Sequence, residues 1–256
     1  MAALQRADLL ALDAADSLRP FRERFVLPEN IIYLDGNSLG AMPKDAPARV
    51  REVVEHEWGQ SLIRGWNLHG WVDLQQRIGD KIGRLIGARR GETLVADSTS
   101  VNLFKMLASA VQLRPDRRVI LSERSNFPTD LYIAEGLAAL LGRDHELRFI
   151  ETEAIESAIG PDVAVVMLTH VNYRTGRLWD MAQITRQAHA NGAIMLWDLA
   201  HSAGAVPLDL AAADVDFAVG CGYKYLNGGP GAPAFLYIAE RLQASVTPPL
   251  SGWFGH

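Results

Sequence analysis

The sequence of 256 residues holds a single cysteine, Cys221. One thiol excludes an internal disulfide and a cysteine-built zinc cluster, and sets the expectation of a reducing, cytoplasmic compartment. No apolar run approaches the ~20 residues that a membrane span needs. The first sixteen residues carry Arg6, Asp8, Asp13 and Asp16, so no signal-peptide core is read there. There is no basic excess. The 25 Lys and Arg face 30 Asp and Glu, and the net charge of −5 argues against nucleic acid or an anionic membrane as partner. Gly-x-Gly-x-x-Gly after a strand, Gly-x-x-x-x-Gly-Lys and Gly-x-Ser-x-Gly are all absent. His56, His69, His145, His189 and His256 show no metal-ligand spacing, so no metal site is expected.

What is present reads as a globular chain with one substantial core: 48% hydrophobic and 21% charged residues. A helix over residues 4–18 and an arm around Pro20 and Pro28 come first. Ile31-Ile32-Tyr33-Leu34 reads as a strand ending in the turn cluster Asp35-Gly36-Asn37-Ser38. A helix follows Pro43 to Trp58, and residues 59–72 read as a loop. Residues 74–86 have helical spacing and close at Gly87. Strands are then expected at 119–121, 147–150, 163–168, 193–197, 217–219 and 234–238. Helices are expected near 101–113, 130–141, 181–190 and 239–244. Short apolar strands alternating with helices predict an α/β fold, a mostly parallel sheet covered by helices on both faces. Ligands of such sheets sit beyond the carboxyl ends of the strands.

Two segments stand at those ends. Asp198 closes the apolar run Ala193-Ile194-Met195-Leu196-Trp197. Lys224 follows 26 residues later in Gly222-Tyr223-Lys224-Tyr225-Leu226-Asn227-Gly228-Gly229-Pro230-Gly231. An acid and a lysine so placed suggest pyridoxal 5'-phosphate chemistry. The amine holds the aldehyde as a Schiff base, and the carboxylate keeps the pyridine nitrogen protonated. Thr99 and Ser100, ahead of a helix beginning at 101–103, suit a phosphate. Phe127, in Ser125-Asn126-Phe127-Pro128-Thr129-Asp130, could stack on a ring. Thr169, His170 and His201 stand near other strand ends. Each residue alone also has an ordinary reading: a capping Asp or Thr, a surface lysine, a core Phe, a histidine packed under a loop.

Together these segments resemble kynureninase, of the aminotransferase fold-type I group, from about Tyr33 to His256. The more specific motifs are Gly36-Asn37-Ser38-Leu39-Gly40, Asn126-Phe127-Pro128-Thr129-Asp130 and Ser251-Gly252-Trp253-Phe254-Gly255-His256. The resemblance implies Lys224 as the Schiff-base lysine and Asp198 at the pyridine nitrogen, with Asp130 nearby. It implies Phe127 on the ring, Thr99, Ser100 and Tyr223 at the phosphate, and Thr169 and His201 lining the cofactor. Trp253 would close the phosphate end in the partner subunit of a homodimer. The implied reaction is hydrolysis of L-kynurenine, or 3-hydroxykynurenine, to anthranilate and L-alanine, with Tyr223 exchanging protons beside Lys224. The expected organisation is an arm over 1–40 and a cofactor-binding large domain over 41–256. A small domain is expected to follow His256 in the family, so this chain alone is expected to be weakly active or inactive. The competing readings are a class V aminotransferase, a desulfurase-like enzyme, or an inactive chain that only binds cofactor or dimerises.

Overall fold

The run Val163–Thr169 has no polar side chain before its last residue and is rich in valine, which suits a strand covered on both faces. In the computed structural model, which describes residues 4–142, 144–151 and 154–253, every residue of this strand is buried. The strands are β1 (Phe25–Val26), β2 (Met42–Pro43), β3 (Thr93–Ala96), β4 (Val119–Glu123), β5 (Glu146–Ile150), β6 (Val163–Thr169), β7 (Ile194–Asp198), β8 (Phe217–Gly220) and β9 (Ala234–Ile238). The helices are α1 (Arg6–Ala15), α2 (Ala46–Glu52), α3 (Gly65–Leu68), α4 (Leu74–Ile86), α5 (Thr99–Gln112), α6 (Pro128–Leu141), α7 (Ile155–Ala158), α8 (Met181–Ala190) and α9 (Glu240–Gln243).

Seven strands form one sheet in the order β3-β9-β8-β7-β6-β4-β5. The pairs from β5 through β8 are parallel, while β9 runs antiparallel to both β8 and β3. Successive residues of each strand face opposite sides. Leu196 joins Leu103, Leu107 and Leu137 from α5 and α6, whereas Met195 and Trp197 join Ile184 and Ala188 from α8. Helices therefore cover both faces, as the alternation predicted. The helix α4 lies close on β3: a Cβ on Gly79 would sit 2.1 Å from the Thr93 carbonyl oxygen, so only glycine admits this approach.

Register collects several strand ends at one edge. Thr169 pairs with Asp198, Asp198 with Val219, Gly220 with Phe235, and Ala96 with Ala234. The carboxyl ends of β3, β6, β7 and β8 thus border one another, and the N-terminus of α5 follows β3 at the same edge.

Several expectations shift. Residues 31–34 form no strand; Ile32 and Leu34 are 88% and 85% exposed, because no sheet edge is offered to the run. The Tyr33 hydroxyl instead donates to the Leu39 carbonyl at 2.6 Å and folds the arm back on itself. The first helix is shorter, Arg6–Ala15, and a 3₁₀ turn, Arg19–Arg24, follows it. Residues 59–72 contain a 3₁₀ turn (Leu62–Arg64) and the single turn α3. The strand β3 was not foreseen; four residues beside a glycine give little periodicity. The helix α5 starts at Thr99, since the Ser98 side chain caps it by accepting from the Val101 N–H at 3.3 Å.

Candidate active site

Two buried aspartates meet at the carboxyl edge. Asp198 ends β7, and Asp130 lies in the first turn of α6. Between them Thr169, the last residue of β6, has its Oγ1 3.3 Å from Asp130 Oδ2 and 3.5 Å from Asp198 Oδ2. Burial pushes the Asp130 carboxyl well up, and the charge of Asp198 adds to this. Burial also raises Asp198, against the Ala200 N–H, which donates to its Oδ1 at 2.8 Å. Among the described residues neither carboxylate has a cation within 4.0 Å.

The loop after β8 brings in Lys224, which is 8% exposed. Its Nζ lies 2.7 Å from His201 Nε2. Burial pulls the His201 imidazole down, and the lysine's charge pulls it further, so the pair is a buried amine against a neutral ring. The loop is closed by the Gly228 N–H donating to the Gly222 carbonyl at 2.8 Å. The arm clamps it from outside. The Gly40 N–H donates to the Tyr223 carbonyl at 2.8 Å, and a Cβ on Gly40 would meet the Lys224 carbonyl oxygen at 2.1 Å. That contact explains a glycine in the Gly36 to Gly40 motif.

Aromatic rings border the amine. Lys224 Nζ is 5.7 Å from the Phe127 ring centre and 5.9 Å from that of Tyr223. Phe127 is only half-buried, at the N-cap of α6 ahead of Pro128, and stacks edge-on against Tyr173 at 5.2 Å. It is a site-edge ring rather than a core residue. Tyr223 is half-buried, and burial raises its hydroxyl.

The remaining candidates divide. Thr99 and Ser100, half-buried, form the first turn of α5 on the same edge. His170 turns away: its Nε2 is 3.2 Å from the Trp179 carbonyl oxygen and its ring packs on Trp197. Trp253 packs edge-to-face on Trp66 at 5.3 Å and is 83% exposed. Phe254, Gly255 and His256 lie outside the described residues. Cys221 is buried behind β8, and burial raises its thiol.

Sequence reasoning passed over Asn126 and Asn172. Asn126 is buried and accepts from the Thr169 N–H at 2.7 Å. Asn172 donates to the Ser125 carbonyl at 3.1 Å and caps the 174–175 turn with its Oδ1. Their one signal was an amide in a turn; their partners lie more than 40 residues away in the case of Thr169 and Ser125.

This arrangement has counterparts. The aminotransferase class-V family model matches residues 32–254. Kynureninases of Pseudomonas fluorescens and Burkholderia pseudomallei (strain 1106a) are 57% and 56% identical over 98% of this chain. The chain spans 62% of the length of these relatives. Among solved structures, a lysine mutant of C-DES with glycine covalently linked to its PLP cofactor superposes with a TM-score of 0.79 at 21% identity, over 91% of this chain and 63% of that one. The apo cysteine desulfurase of Thermococcus onnurineus NA1 gives 0.74 at 22% identity, over 99% of this chain and 62% of its own. The desulfurase likeness carries the fold, and the match across residues 32–254 carries the kinship: the chain belongs to the aminotransferase class-V family.

Proposed function

We propose that this chain binds pyridoxal 5'-phosphate and contributes the catalytic lysine of a kynureninase, which hydrolyses L-kynurenine or 3-hydroxykynurenine to anthranilate and L-alanine. The observation that carries the reading is the unmatched charge at the carboxyl edge. A carboxylate pair without a cation lies beside a buried lysine without a carboxylate within 4.0 Å, among the described residues. That donor set fits the cofactor: Asp198 and Asp130 would hold its ring nitrogen, Lys224 its aldehyde, Phe127 its face, and Thr99, Ser100 and Tyr223 its phosphate. Thr169 and His201 would border the ring. The relatives' name supports the substrate.

When bound, the cofactor supplies an electron-withdrawing ring conjugated to the substrate's α-carbon. The chain's residues do the rest. Lys224 Nζ is positioned as the base that takes and returns the α-proton. His201, held neutral, accepts a hydrogen bond from that amine without competing as a cation. Asp198 favours a protonated ring nitrogen through its charge. Tyr223 holds or returns a proton as water adds to the γ-carbonyl and the β–γ bond breaks.

We further propose a homodimer with shared sites, Trp253 closing the partner's phosphate end, a cytoplasmic location, and the arm and large domain as the units of the chain. No helix among the described residues is long and apolar enough to cross a membrane. Because the chain spans 62% of its relatives' length, the 256-residue polypeptide by itself is expected to bind cofactor and turn over weakly. The test is spectroscopic. With pyridoxal 5'-phosphate the chain should show a visible band, absent in Lys224→Ala. L-kynurenine should perturb that band and release traces of fluorescent anthranilate. A band that survives Lys224→Ala, or one that responds to L-cysteine but not to kynurenine, overturns the reading.

A further inference from the structure

Asn126 sits 3% exposed in the turn between β4 and α6, and both ends of its amide are engaged. Its Oδ1 accepts from the Thr169 backbone N–H at 2.7 Å. Its Nδ2 donates to Asp130 Oδ2 at 3.4 Å. A backbone N–H can only donate, so the amide has one allowed orientation; flipped, it would set donor against donor and oxygen against carboxylate. The amine end is therefore committed to Asp130 Oδ2, which makes that oxygen an acceptor.

We propose that Asn126 is a positioning residue for the buried carboxylate pair. By holding Asp130 Oδ2 as an acceptor it fixes the orientation of the Asp130 carboxyl beside Asp198, where the pair would receive the cofactor's ring nitrogen. This rests on the cofactor reading above, but part of its test does not. The groups facing the pair are Lys224 from the loop after β8 and His201 from the turn after β7, with Cys221 and Tyr223 on the Asp198 side. None of these donates to Asp130 Oδ2; Thr169 Oγ1 and Asn126 Nδ2 do. Thr169 has a second oxygen, Asp198 Oδ2, open to its single hydroxyl proton, so it does not commit to Asp130. Asn126 does.

Three variants test this: Asn126→Asp, Asp130→Asn, and the double exchange Asn126→Asp/Asp130→Asn. In Asn126→Asp one carboxylate oxygen keeps the Thr169 N–H, but the other replaces a donor with an acceptor opposite Asp130 Oδ2. The pH midpoint of the bound cofactor's visible band should move by about one unit. Cofactor binding should weaken about tenfold or more. The double exchange keeps one carboxylate and one amide at the contact but removes the Asp130 carboxylate that would help hold the ring nitrogen, so its readout is the apoprotein's stability and not the band. A readout without cofactor separates this inference from the reading it rests on. Both carboxyls are raised by burial, so stability they contribute is full at low pH and falls as pH rises through their folded values. Asn126→Asp should steepen that fall in the apoprotein's unfolding midpoint, and the double exchange should relieve it. If Asn126→Asp behaves as the unsubstituted chain in both readouts, the proposal is wrong. If the single and double variants lose the fold alike, Asn126 is a packing residue and the proposal is equally overturned. If no band forms in any chain but the apoprotein pH pattern holds, the cofactor reading fails while the positioning of Asp130 by Asn126 stands.

Discussion

Both ends of the parallel strands bury an aspartate, and the two are treated differently. Asp216, just before β8, accepts from the Met195 N–H at 2.7 Å. It is also paired with Arg241 at 2.8 Å and His189 at 2.8 Å. Asp198, at the far end of β7, accepts the Ala200 N–H and faces a second carboxylate across Thr169. Both are 3% exposed. At the amino edge, cations from α8 and α9 match the buried charge. At the carboxyl edge, the charge is left raised and short of a partner. Uncompensated burial costs stability, so it persists where something outside the chain completes it. The difference separates a charge-matched buried cluster from one left without a cation within 4.0 Å among the described residues.

Substitutions should break the comparison in opposite ways. Asp198→Asn is expected to lower cofactor-dependent turnover about 10²–10³-fold, since the group proposed to hold the ring nitrogen's charge is lost. Its urea midpoint should hold or rise, because a raised carboxyl is removed. A lowered urea midpoint with turnover retained would reverse the two ends. Asp216→Asn should instead cost about 3 kcal/mol in urea unfolding, as Arg241 and His189 lose a buried partner. The visible band of the bound cofactor should survive it.

A smaller effect should appear in the pH dependence of stability. The hydrogen bond to Asp216 raises His189, and burial opposes it only in part. The stability this gives is complete below the ordinary imidazole value, about 6.5, and is lost as pH rises through the raised folded value. The unfolding midpoint of the chain should fall over that window, and His189→Gln should flatten the fall. A rise with pH would place the proton elsewhere in the cluster.

The comparison also shows what can be read from sequence. Asp198 and Lys224 were legible because local patterns carried them: an acid closing an apolar run, and a lysine among glycines. The alternating faces of β6 and β7 were legible for the same reason. The partners that define the site were not. Nothing near Asn126 announces Thr169 43 residues on, and nothing near Gly40 announces the Lys224 carbonyl. Local pattern put both His170 and His201 near strand ends, and only the resemblance singled out His201; one packs on Trp197 and the other on Lys224. Such assignments depend on register between strands, which a single sequence leaves open. The arm misled for a related reason: Ile31 to Leu34 has the composition of a strand and no edge to join.

Chemical trapping of the cofactor distinguishes Lys224 from the other lysines of the chain. The sequence has four lysines, Lys44, Lys81, Lys105 and Lys224. The chain is incubated with stoichiometric pyridoxal 5'-phosphate, reduced with borohydride, digested and analysed by mass spectrometry. One phosphopyridoxyl adduct is expected, on the peptide that carries Lys224, and it should be lost in Lys224→Ala. An adduct spread over Lys44, Lys81 and Lys105, or none on Lys224, would contradict it.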